Sequence, residues 1–145
     1  MKSKIFKEWQ NKEKSEQELH NDARLWISEL NFINDEIRFL EHLLSDKYID
    51  CLSAGLHKKI EGFVDKISGQ KKEGQILKIV INEQEAILVD LINNNNVASN
   101  KNYLENHKKL ALEMNHYFKK YKRLKKQVFD IVEDVMKIKY QKKLV

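Results

Sequence analysis

The apolar positions of this chain step by four and three over most of its length. Leu19, Ala23, Trp26, Leu30, Ile33, Ile37, Leu40 and Leu44 form one unbroken series, the spacing that keeps one flank of an α-helix apolar. Ile27, Phe39 and Leu43 widen the flank, so this helix is expected to pack on two or three neighbours and to end near residues 45–46. The register continues backwards through Glu16, Lys12, Trp9 and Ile5 and predicts helix from about residue 4, with Ser3 as its cap. A second series, Ile49, Leu52, Leu56, Ile60, Phe63 and Ile67, predicts a helix over 48–68 that closes at Ser68 and Gly69. Gly55 and Gly62 weaken it by up to about 1 kcal/mol each, and Ser53, Ala54 and Gly55 offer an alternative break.

The third predicted helix covers 72–92, with Leu77, Val80, Gln84, Ile87 and Leu91 on one face and Ile76, Ile79, Ile81 and Leu88 broadening it. Residues 93–100 are rich in asparagine, which competes with helix for backbone hydrogen bonds, and read as a loop. The fourth helix, 101–139, carries Tyr103, His107, Leu110, Met114, Tyr117, Tyr121, Leu124, Val128, Ile131, Val135 and Ile138, capped by Ser99 or by Asn102 with Glu105.

Four helices on short connections predict an all-α, antiparallel up-down-up-down four-helix bundle in a single domain spanning 1–145. Helices 1 and 4 would be about 55 to 65 Å long and the middle two about 30 Å. The surplus predicts a coiled-coil-like extension in which Ile5, Phe6 and Trp9 pair with the segment from Val128 to Ile138, completed by self-association or by a protein partner.

Composition supports helix and narrows the function classes. The 145 residues include no proline, no threonine and only four glycines, which disfavours sandwiches and barrels. Charged residues make up 34% of the chain and mean hydropathy is −0.65. The lysine-studded start has no apolar core of a secretory signal, and no apolar run approaches the roughly 18 residues needed to span a bilayer, so a cytoplasmic protein is expected. A single Cys51 excludes an internal disulfide and reads as a packing residue. Abundant Lys, Asn and Ile point to an AT-rich bacterial genome.

The chemistry such a bundle most readily hosts is a divalent metal or di-iron centre built from inward-facing His and carboxylates. His57 and Glu61 form an HxxxE spacing that resembles one helix of hemerythrin-like proteins, although the third predicted helix holds no histidine. Glu113 and His116 form the ExxH spacing of ferritin-like di-iron proteins, here present once. Counted from a shared end of the bundle, His57, Glu61, Glu83, His107 and Glu36 fall at similar depths and define the candidate metal layer; otherwise His107 is a core histidine bonded to Gln84 or a backbone carbonyl.

Charge is unevenly spread. Residues 101–145 hold 13 Lys/Arg against 5 Asp/Glu, concentrated at Lys119, Lys120, Lys122, Arg123, Lys125 and Lys126. Such a face could neutralise nucleic-acid phosphates, but Tyr121 and Leu124 lie on the apolar seam and leave no aromatic to stack on bases. Gly69 and Gly74 bracket four residues as in a phosphate loop, with Gln75 where lysine is required, and no nucleophile-elbow motif is present. The expectation is therefore a non-enzymatic interaction or scaffold bundle, with a metal-binding bundle and a basic-surface nucleic-acid binder as alternatives.

Overall fold

The computed structural model describes residues 14–144, and the protein is an all-α bundle of four helices with no strand among these residues. They are α1 (Glu16–Asp46), α2 (Tyr48–Ser53), α3 (His57–Asn93) and α4 (Lys101–Leu144). Residues 4–13 of the predicted first helix, with Ile5, Phe6 and Trp9, lie outside the described residues.

The helix ends follow local hydrogen-bond chemistry more closely than the apolar series did. At Ser15 the backbone is extended (φ −68°, ψ 162°) and the hydroxyl accepts from the Glu18 amide. The Ser15-x-x-Glu18 signal thus starts α1 there, where a helix uninterrupted from residue 4 was expected. At the end of α2, Gly55 takes φ +75° while the Gly55 and Leu56 amides donate to Leu52 and Cys51 carbonyls, the two bonds of a Schellman stop. The alternative break at Ser53, Ala54 and Gly55 is therefore the one the chain uses. α3 then runs unbroken through Ser68 and Gly69, where a helix end was expected. Burial of Ile60, Ile67, Leu77, Ile81 and Leu88, worth roughly 1.5 to 3 kcal/mol per side chain, outweighs about 1 kcal/mol for each of Gly62, Gly69 and Gly74. α3 ends in a second Schellman stop, with Asn95 at φ 56° and the Asn96 and Asn95 amides donating to Leu91 and Ile92 carbonyls. Asn100, rather than Ser99 or Asn102, caps α4 by accepting from the Tyr103 amide.

Polar contacts along the seams set the helix directions. His20 meets Glu85, Asn31 meets Lys78 and Glu41 meets Lys71, so α1 and α3 run antiparallel. Asp22 meets His107, Glu36 meets Tyr121 and Lys125, and Asp50 meets Lys139, so α1 and α4 run parallel, where the expected up-down-up-down order would set the first and last helices antiparallel; the predicted second and third helices are joined in α3, which removes one reversal. The far part of α4 consequently packs within the bundle: Val128, Ile131, Val132 and Val135 belong to the main apolar cluster with Leu44, Cys51 and Ile60. Ile5, Phe6 and Trp9, the partners expected for this segment, lie outside the described residues. A smaller cluster of Leu19, Leu88, Leu91, Val97 and Tyr103 closes the opposite end and anchors the asparagine-rich loop through Val97. Ile87, predicted on the inner face of the third helix, is exposed, while Ile81 and Leu88 are buried in its place.

α3 and α4 approach most closely at Gly74. A Cβ built there would lie 2.6 Å from the Tyr117 hydroxyl oxygen, so any larger residue requires the Tyr117 side chain to shift. Buried Gln70 donates its side-chain amide to the Tyr117 carbonyl, and the Tyr117 hydroxyl donates back to the Gln70 carbonyl. Burial pushes the Tyr117 phenol up to about 12, with the Glu73 charge adding to the shift.

Candidate interaction surface

The polar side chains inside the bundle are turned on one another. His107 is buried, donates from Nε2 to Asp22 Oδ2 over 2.9 Å and stacks against Trp26 with ring centroids 5.0 Å apart. Lys14 reaches the same carboxylate oxygen at 2.6 Å. Burial pushes the Asp22 carboxyl up, but the bonds from His107 and Lys14 and their charges outweigh it and hold the group below its ordinary value. Tyr103 lies beside this pair, its phenol raised to about 12 by burial and by the Glu85 and Asp22 charges. Four turns along, Glu36 accepts from the Tyr121 hydroxyl at 2.6 Å and from Lys125 at 2.8 Å. Burial opposes these contacts and they prevail, so Glu36 also sits below the ordinary carboxylate value; burial and the Glu36 bond together drive the Tyr121 phenol upward.

This arrangement disperses the candidate metal layer. His57 and Glu61 do pair, at 3.0 Å, but on the exposed first turns of α3. Glu83 is exposed, Glu36 is engaged by Tyr121 and Lys125, and His107 by Asp22. Among the described residues no group of three or more His, Cys, Asp or Glu is close enough to hold an ion. Shared depth along the bundle axis did not imply a shared face. Asp22, not Gln84, is the partner of His107, and its position one helix face away from the apolar series hid it from the spacing argument. Cys51 is fully buried, and burial with the nearby Asp50 charge raises its thiol, consistent with packing.

The predicted basic residues lie where the spacing placed them. Lys119, Lys120, Lys122, Arg123 and Lys126 are exposed on α4. Lys120 pairs with Glu73 of α3, and Lys125 with Glu36 of α1. His116 lines an open groove of about 660 Å³ between α3 and α4, together with Gly69, Ile76, Leu112 and Glu113.

A feature that the spacing argument missed lies along the outer side of the α1/α4 seam. Leu25, Phe32 and Phe39 are spaced by seven on α1 and are 57, 63 and 57% exposed. Each follows by three a position in the series Asp22, Glu29 and Glu36, whose first and last members bond to α4, so the apolar line borders that seam. It faces away from α3, which is engaged by His20, Asn31 and Glu41 on the other side of α1. On α4, Phe118 precedes Tyr121 by three, Phe129 follows Lys125 by four and Met136 precedes Lys139 by three, so they border the same seam from the other bank. Phe129 and Met136 are exposed, and Phe118 is half-buried against the core. Phe39 was expected to widen the buried flank of α1 and instead lies on this outer strip. The signal was present in the seven-residue recurrence of Leu25, Phe32 and Phe39, parallel to the inner series. Two adjacent helices that each show an apolar line outward present a surface along which a further helix could lie.

No helix among the described residues is long and apolar enough to cross a membrane. No protein-family model, no curated protein and no solved structure matches this chain.

Proposed function

We propose that this chain is a non-enzymatic interaction module whose partner docks helices on the outer α1/α4 strip. The carrying observation is the exposed line Leu25, Phe32 and Phe39 beside Phe129 and Met136. Contiguous exposed apolar surface of this kind marks interaction sites, whereas scattered apolar residues do not. The titratable groups of the interior support the reading, because Asp22, His107, Glu36 and Tyr121 are consumed in pairs that tie α1 to α4. The strip has the geometry of helix-in-groove recognition, with anchors at heptad spacing on two neighbouring helices.

A photo-crosslinking residue placed at Phe32 in the protein's native cells should give a discrete adduct with another polypeptide chain. The same residue at Asp65, exposed on α3, should give none. Failure to form any adduct at Phe32 removes the proposal.

A further inference from the structure

We infer that the occupant of the α1/α4 strip is a second copy of this chain, docked about a two-fold axis so that α1 of each copy lies along α4 of the other. The inference rests on the interaction reading above and adds the identity of the partner. Its basis is that the strip carries its own complement. α1 as a whole is acidic, with eight carboxylates against two arginines between residues 16 and 46, and its Asp35 is exposed. The α4 bank is basic, with 13 lysines and arginines against five carboxylates over residues 101–145. Between them run the exposed Leu25, Phe32, Phe39, Phe129 and Met136.

A two-fold pairing brings the same patch of each copy together, so the patch must be self-complementary. Laying α1 on α1 and α4 on α4 would oppose like charges, a destabilising arrangement at an interface. Laying α1 on α4 of the other copy sets the exposed Asp35 against the exposed Lys122 and Lys126 row and covers the apolar lines. The chemistry of that contact already exists within one copy, where Glu36 of α1 accepts from Lys125 of α4 at 2.8 Å. The two apolar lines are mostly aromatic, as interface cores are, and flank the partly exposed Glu36–Lys125 pair of the seam.

Light scattering on the untagged full chain, from low micromolar to millimolar concentration, should show the mass rising from 17.3 kDa to twice that value. The Phe32→Glu/Phe39→Glu variant should weaken the dimer by about thirtyfold or more while its circular dichroism stays helical. Asp35→Lys should weaken it, and adding Lys122→Glu and Lys126→Glu should restore it, which a simple loss of apolar area cannot do. A concentration-independent monomer overturns the inference, as does a dimer indifferent to the Phe32 and Phe39 substitutions or a charge swap without rescue. The crosslink at Phe32 separates the two levels: an adduct with a different protein, or with residues 1–13 of the same chain, overturns the second-copy inference, and only the different-protein adduct leaves the interaction module standing.

Discussion

α4 is held on its two sides by opposite chemistry. Toward α3 the contact is deep, with the Lys120–Glu73 pair at its exposed edge: the Tyr117 ring enters where Gly74 has no side chain, and Gln70 exchanges hydrogen bonds with it. Toward α1 the contact is a ladder of ion pairs and charged hydrogen bonds, Asp22 with His107 and Glu36 with Tyr121 and Lys125, and the apolar residues beyond it stay in water. Close approach uses up a helix face. Charged pairs hold helices together at their edges and leave an outer apolar strip in water.

The comparison breaks first at Tyr117. Truncation to alanine should cost about 3 to 5 kcal/mol by chemical denaturation, and a loss under 1 kcal/mol would mean the α3 side is not the deep one. Next comes Asp22→Asn, expected to cost about 1.5 to 3 kcal/mol at neutral pH, in the range of hydrogen bonds to charged groups. Because the folded Asp22 carboxyl sits below its ordinary value of 3.8, its contribution is complete above that value and is lost as pH falls through the depressed folded one. The gap between wild type and Asp22→Asn should therefore be constant at mild acidity and shrink in strong acid; a gap that widens there would reverse the assigned sign.

Gly74→Ala should cost about 1 to 3 kcal/mol through overpacking against the Tyr117 hydroxyl, and Tyr117→Phe in the same molecule should recover part of it. Equal losses in both backgrounds would show that the hydroxyl is not what the new methyl meets. The smallest effect has the opposite sign. Gly69→Ala places a methyl in open space on the same helix and should raise stability by up to about 1 kcal/mol, so a thermal melt that moves down would indicate an occupied surface at that position.

The inner helical faces were legible in the sequence because burial repeats at helical spacing: all of Leu19, Ala23, Leu30, Ile33, Ile37, Leu40 and Leu44 are buried as the series requires, and on α4 so are Tyr103 to Val135 at their predicted steps. Helix ends were less legible, because glycine marks a stop only where the next amides can reach back, as at Gly55, and not at Gly69, where flanking Ile67 and Gln70 are carried in the core. Polar pairs between helices were least legible. The partner of His107 comes from a residue 85 positions away, and no local pattern encodes which face of α1 turns toward α4.

The parallel arrangement of α1 and α4 has a consequence for how the polypeptide is made. The hydrogen-bonded partners of α1 on α3 lie 30 to 65 positions downstream, whereas those on α4 lie 85 positions or more away. During synthesis α1 can therefore close a hairpin with α3 before α4 has emerged. Asp22 then has Lys14 but not yet His107, and Glu36 awaits Tyr121 and Lys125, so the docking of α4 is a long-range event.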